Sequence, residues 1–152
     1  MPDTTGAVDR WGPAVYRLAC AVTGSRSDAD DVFQEVFLRY HRAAPDFASQ
    51  AHEKAWLLRV TVNRCKSLLS SPWRRHSVPL EDVYACPGPE ESAVAEALAA
   101  LPPKDRTLLH LYYYEGYRTE EMARLLGRES ATIRSQLTRA RQKLARLLKE
   151  EP

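Results

Sequence analysis

Residues 101–149, LPPKDRTLLHLYYYEGYRTEEMARLLGRESATIRSQLTRARQKLARLLK, decide how this chain folds. Pro102 and Pro103 suit a first helical turn, where a missing N–H leaves no bond unmade, and Leu108, Leu109, Leu111 and Tyr112 recur at helical spacing until Gly116. Thr119 is placed to cap a short second helix. Glu120 and Glu121 fill its first turn, at the positive end of the helix dipole, Met122, Ala123, Leu125 and Leu126 turn inward, and Gly127 ends it. Ser130 is placed to cap a longer helix in which Ile133, Leu137, Ala140, Leu144 and Leu147 form one apolar stripe. At about 100° per residue, Arg134, Ser135, Thr138, Arg139 and Gln142 fall away from that stripe. Arg141, Lys143, Arg146 and Lys149 extend the positive charge, and early on only Glu129 opposes it.

Basic helix faces are common on solvated helices, so charge alone points to no ligand. A short helix, a glycine turn and then a long basic helix form a more specific order. It is the helix-turn-helix arrangement, in which the second helix enters the major groove and its N-terminal side chains reach base edges.

The remaining sequence must be read within 152 residues, enough for one domain or two small ones, and a formal net charge of +2 that hides an uneven distribution of sign. Met1 to Arg10 lacks the apolar run of a signal peptide, and no stretch approaches a bilayer-spanning length, so a cytoplasmic protein is expected. Cys20, Cys65 and Cys86 are odd in number and widely spaced, which argues against a disulfide framework or a zinc site. Cys20 and Cys65 read as helix-packing residues and Cys86 as a loop thiol.

At the N-terminus, residues 1–6 read as frayed and a first helix is expected from about Val8 to Val22, closed by Gly24, with Val15, Leu18, Ala19 and Val22 on its apolar face. Ser27 is placed to cap a second helix, DADDVFQEVFLRYHRA, with Ala29, Val32, Phe33, Val36 and Tyr40 inward. Its outward face carries Asp30, Asp31, Gln34, Glu35 and Leu38. A leucine within an acidic and amide-rich face suits a partner surface, although a single exposed leucine is ordinary on any protein.

A short loop, Pro45 to His52, holds Phe47 near its start, and a third helix is expected from about Glu53 to Ser70. Leu57, Val60, Thr61, Cys65 and Leu68 share one face, while Arg59, Asn63, Lys66 and Ser70 line another, bordered by Trp56. No acidic residue stands between Lys54 and Leu80, whereas Arg59, Arg64, Lys66, Arg74 and Arg75 are basic, with Trp73 and His76 among them. Cations beside aromatic rings and an amide can hold a backbone and stack or hydrogen-bond unpaired bases. The plainer reading makes Trp56 a core residue and Trp73 a linker anchor. From Ser71 to Glu91 the periodicity fails at Pro72, Pro79, Pro87, Gly88 and Pro89, which reads as a flexible linker, acidic in its second half. The organisation expected is all-α: a three-helix unit over residues 7–70, a linker over 71–92, and a four-helix unit over 93–149 that begins with the alanine-rich helix Val94 to Ala100.

The succession DADDVFQEVFLR, KAWLLRVTVNRCKSLL, a proline-containing linker and LPPKDRTLLHLYYYEGYRTEEMARLLGRESATIRSQLTRARQKL resembles the small bacterial sigma factors of the sigma-70 family, the extracytoplasmic-function group, over about Val15 to Leu148. The resemblance implies regions two and four alone and a role as a promoter-specificity subunit of RNA polymerase. It sets Asp31, Gln34, Glu35 and Leu38 where such proteins meet the clamp helices of the largest polymerase subunit. It sets Phe47, Arg59, Asn63 and Lys66 where they capture unpaired bases of the minus-ten element. Thr132, Arg134, Ser135, Thr138, Arg139 and Gln142 take the part that reads the minus-thirty-five element. Core RNA polymerase and promoter DNA are the implied partners, an anti-sigma factor is a further candidate, and no cofactor, metal or membrane contact by the chain itself is implied. In places the chain departs from the family pattern. Glu53-Lys54-Ala55 stands where many members carry an aromatic residue, Thr138 where a larger side chain is frequent, and Arg118-Thr119-Glu120 in place of a serine-aromatic pair.

Two other classes remain open at this point. A stand-alone helix-turn-helix regulator explains residues 101–149 but leaves the DADDVFQE face and the acid-free segment without a task. An adaptor that binds polymerase without reading DNA wastes the basic last helix. An enzyme is disfavoured: His41, His52, His76 and His110 are scattered, and neither a glycine-rich phosphate loop nor a catalytic triad motif is present.

Overall fold

The structure, a computed structural model, describes residues 2–43, 45–71 and 93–150. Among the described residues every regular element is a helix, and the helices fall into two compact units, Met1–Cys86 and Pro87–Pro152. The linker expected over 71–92, with Trp73, Arg74, Arg75, His76 and Cys86, lies outside the described residues but for Ser71.

The first unit packs α1 (Thr4–Thr23), α2 (Arg26–Ala43) and α3 (Gln50–Leu69) pairwise against one another. The first helix starts earlier than the expected Val8, and residues 4–6 are helical, because Asp3 caps it: its carboxylate accepts the Gly6 N–H at 3.1 Å. Gly24 ends the helix in the left-handed region, at φ +68°, donating its N–H to the Cys20 carbonyl. The cap of α2 is Ser25, not Ser27. Buried Ser25 accepts the Asp28 N–H on its hydroxyl at 3.2 Å, and Ser27 stands exposed inside the helix. Ser49 caps α3 by accepting the His52 N–H at 3.1 Å, so this helix begins three residues before the expected Glu53.

Val15, Leu18, Val32, Val36, Leu57, Leu58 and Val62 fill the core of this unit, and Phe37, unassigned from the sequence, joins them at 6% exposure. Cys20 and Cys65 are buried and form no disulfide with one another, and burial pushes the Cys65 thiol up to about 12. Both act as packing residues.

The second unit contains α4 (Ala93–Ala99), α5 (Pro103–Tyr113), α6 (Thr119–Leu126) and α7 (Ser130–Glu150). Pro103 opens α5 as expected, and Gly127 ends α6 at φ +68°. Thr119 and Ser130 are the first helical residues of α6 and α7 and do not occupy the cap positions expected for them. Arg118 precedes α6 with extended backbone, and the Glu121 carboxylate reaches back to accept its N–H at 2.9 Å. Leu108, Leu111, Met122, Ile133, Leu137 and Ala140 are the centre of this second core.

Candidate functional site

The core of the second unit fixes how α7 is rotated. Burying Ile133, Leu137 and Ala140 turns Thr132, Arg134, Ser135, Thr138, Arg139 and Gln142 outward, and all six are exposed. Local bonds hold this face in order. The Arg134 guanidinium donates to the Ser130 hydroxyl at 3.0 Å, Arg139 donates to Ser135 at 3.1 Å, and Thr138 donates to the Arg134 carbonyl at 2.9 Å. Each guanidinium carries five N–H donors, and one hydroxyl engages only part of that fork. Glu120, from the first turn of α6, stands 3.8 Å from Arg134, with both side chains more than half exposed. Such a pair is screened and contributes about 0–1 kcal/mol, so Arg134 can exchange it for a nucleic-acid contact at little cost.

Two of the cations assigned to this face behave differently. Arg141 donates through Nε to the Tyr113 hydroxyl at 2.9 Å and lies 4.7 Å from the centre of the Tyr112 ring. Lys143 bonds to Asp105 at 2.9 Å, and the Asp105 side chain is 4% exposed. Both residues flank the apolar stripe, beside Ala140 and Leu144, so their long stems reach α5 and are engaged there. The exposed continuation of the basic face is Arg146 and Lys149.

In the first unit, Asp31, Gln34 and Leu38 are exposed along α2, and Glu35 is half-buried beside them. Leu38 is 46% exposed. Glu35 accepts a hydrogen bond from Arg39 one turn on, at 3.4 Å, which partly neutralises the acidic stripe.

Arg59, Asn63 and Lys66 are exposed along α3. Phe47 is not a free, projecting ring. It stacks on Tyr40, with ring centres 6.1 Å apart and planes 15° apart, and meets Trp56 and His52 edge-on at 6.0 and 5.3 Å. This aromatic cluster lies at the N-terminal end of the Arg59–Asn63–Lys66 stripe, because Trp56 precedes Arg59 by one helical turn. Trp56 is half-buried: it packs on Tyr40 and, with Arg39, Arg42, Ala43 and Val60, lines a shallow depression of about 420 Å³. Arg39 and Arg42 escape a reading from sequence because on a helical wheel they belong to the solvated end of α2.

Glu53 is the main residue that the sequence concealed. At 7% exposure it receives Trp11 Nε1–H at 2.7 Å, Tyr40 O–H at 2.8 Å and the Arg10 guanidinium at 3.2 Å, and so joins all three helices. Burial by itself favours the neutral acid, but the bonds from Tyr40, Trp11 and Arg10 outweigh it and hold the Glu53 carboxyl below its ordinary pKa. The Tyr40 hydroxyl is pushed up to about 12, by burial first and then by the bond to Glu53. In the sequence Glu53 looks like an ordinary first-turn acid, and its partners Arg10 and Trp11 stand more than forty residues away.

Residues 7–75 match the model of sigma-70 region 2, and residues 91–144 match that of sigma-70 region 4. The ECF RNA polymerase sigma factor SigM of Mycobacterium tuberculosis is 37% identical over 88% of this chain and 71% of its own length. The chain belongs to the ECF sigma factors. A second member of that family, SigE of Mycolicibacterium smegmatis, is 32% identical over 95% of this chain and 61% of its own. Among solved structures, the sigma factor RpoE of Bartonella quintana, in complex with the anti-sigma factor NepR, has the same fold, with a TM-score of 0.79 over 99% of both chains at 24% identity. CnrH, in complex with the cytosolic domain of CnrY, gives 0.73 at 27% identity, over 98% of this sigma factor and 89% of CnrH. Matches to both regions in one chain do not favour the stand-alone regulator.

Proposed function

We propose that this sigma factor binds core RNA polymerase through Asp31, Gln34, Glu35 and Leu38, reads the minus-thirty-five duplex through Thr132, Arg134, Ser135, Thr138, Arg139 and Gln142, and captures unpaired minus-ten bases through Arg59, Asn63, Lys66 and the loop bearing Phe47. The observation that carries the reading is the exposed, hydroxyl-buttressed arginine face of α7, built over a core that fixes its direction. Duplex contacts would position the polymerase, and binding free energy from bases exposed during melting would favour the open bubble. Such a role is one of binding and not of catalysis. Glu35 and Leu38 fit a protein partner, since an exposed leucine with flanking charge gives an apolar centre and a polar rim.

Residues 7–70, 71–92 and 93–149 are the region 2 domain, linker and region 4 domain in this reading. The partners are core polymerase, promoter DNA and an anti-sigma factor, the last supported by the relative captured with NepR. A cytoplasmic location follows from that work, and among the described residues no helix is long and apolar enough to cross a membrane. Purified chain added to bacterial core polymerase should give start-site-specific transcripts from promoters of its own genome. Duplex binding with no transcript from any of them would return the function to a stand-alone regulator.

A further inference from the structure

The loop Pro45–Ser49 is tied to the helices through Phe47, Ala48 and Ser49. Phe47 lies against Tyr40, Trp56 and His52, while the Ala48 N–H donates to His52 Nδ1 at 3.1 Å. The position of Phe47 therefore depends on the plane of the Tyr40 ring beneath it. That plane is fixed at its far end, where the hydroxyl donates to Glu53 Oε2 at 2.8 Å, and Tyr40 is only 4% exposed. Glu53 is in turn immobilised by Trp11 and Arg10 of α1. A buried charged acceptor with three donors favours one arrangement, because displacing it breaks the buried Tyr40 bond and strains the part-buried bonds from Trp11 and Arg10. The chain of contact from α1 through Glu53 and Tyr40 thus ends on a ring at the edge of the Arg59–Asn63–Lys66 stripe.

We propose that Glu53 is a positioning residue for strand capture: it sets the Tyr40 ring on which Phe47 stacks, and so holds the Pro45–Ser49 loop in the shape that meets the unpaired minus-ten strand. Glu53 and Tyr40 touch no base themselves. This rests on the proposed role of the Phe47 loop, and the test separates the two.

The holoenzyme is assembled from core polymerase with the unmodified chain, Tyr40→Phe, Glu53→Gln or Phe47→Ala. The probe is a fluorescent single strand carrying the minus-ten segment of a promoter that the holoenzyme opens, compared with the same strand bearing substituted bases. Tyr40→Phe keeps the ring and removes only the hydroxyl donor. It and Glu53→Gln should each lower the preference for the true strand by about three- to tenfold, the range for loss of one hydrogen bond, with core association and minus-thirty-five duplex binding unchanged. The near-ultraviolet circular dichroism of the Tyr40–Phe47–Trp56 cluster should change in parallel. If Phe47→Ala loses the preference while folded Tyr40→Phe and Glu53→Gln retain it, the positioning role is wrong and the loop's role stands. If Phe47→Ala also retains it, the loop has no part in capture and the inference falls with it. Equal loss of strand, duplex and core binding in the Tyr40 and Glu53 variants would make Glu53 a structural tie alone.

Discussion

Lys143 Nζ lies 2.9 Å from a carboxylate oxygen of Asp105, and the Asp105 side chain is 4% exposed while that of Lys143 is 39% exposed. A cation drawn from the basic helix thus neutralises a buried acid in the first turn of α5, and fastens the helix expected to enter the groove to the scaffold helix behind it. In the proposed reading the interaction stiffens α7 and makes no contact with DNA. Removing Lys143 by substitution with alanine leaves a buried carboxylate without its partner, a loss of about 3–5 kcal/mol where both groups are dry. The partial exposure of Lys143 brings the expected loss down to about 1–3 kcal/mol. Hydrogen exchange of α7 amides in the full chain should accelerate accordingly, while the minus-thirty-five preference of the surviving folded fraction stays the same. A changed base preference would put Lys143 among the reading residues.

Arg134 should behave in the opposite way. Its side chain is exposed and its contacts are to Ser130 and Glu120, so Arg134→Ala should scarcely alter unfolding. It should cost about 1–3 kcal/mol in duplex binding and relax the preference at one base position, as loss of a base contact does. Selection of binding sites from a randomised duplex reads this directly, and an unchanged profile would remove Arg134 from the reading face.

Glu120 supplies a check of the same face with the sign reversed. It holds Arg134 through an exposed ion pair at 3.8 Å and repels phosphate. Glu120→Gln should strengthen duplex binding by about twofold at low salt, with the gain fading as salt rises, because such pairs contribute only a few tenths of a kcal/mol and are screened.

For polymerase binding, charge reversal by Glu35→Lys places two cations one turn apart, since Arg39 is its present partner. It should weaken association with core polymerase and leave the duplex base preference unaltered. Leu38→Ser, at a position already 46% exposed, should do the same with no more than a few tenths of a kcal/mol in stability. Loss of duplex preference in either variant would point to misfolding instead.

The sequence told more about faces than about fastenings. The apolar periods of α1, α2, α3, α5 and α7 predicted which side of each helix is buried, and so where Arg134, Arg139, Asn63 and Leu38 emerge. Helix caps were less legible, because Ser25 and Ser27, or Asp3 and Thr4, carry similar cap chemistry within two positions and only the backbone chooses between them. Long-range polar ties left no periodic signal. Glu53 looks like a first-turn acid until Arg10, Trp11 and Tyr40 converge on it, and Lys143 looks like part of a cationic face until Asp105 is found beneath it. Such pairings depend on how helices cross, which hydrophobic spacing along one helix does not encode.

The Glu53–Tyr40 pair contributes a pH-dependent part of the first unit's stability, in acid and in base. A carboxyl held below its ordinary pKa in the folded chain stabilises folding above its unfolded value, near pH ~4.3, and that contribution drains away as pH falls through the folded value. Tyr40, raised to about 12, stabilises folding fully below the ordinary tyrosine value of about 10, and its contribution disappears as pH rises from there to about 12. Glu53→Gln should therefore destabilise the unit at neutral pH, and the difference from the unmodified chain should shrink in acid. A gap that stays constant down to pH ~3 would mean that the charge of Glu53 adds nothing to folding.

The most direct measurement is permanganate reactivity of unpaired thymines on a promoter fragment incubated with core polymerase and this chain. The predicted result is a reactive minus-ten segment that appears only when polymerase and chain are both present, and that weakens with Arg134→Ala and with Phe47→Ala. A promoter drawn from the same genome that stays fully paired, while the chain protects its minus-thirty-five duplex without polymerase, would contradict the assignment.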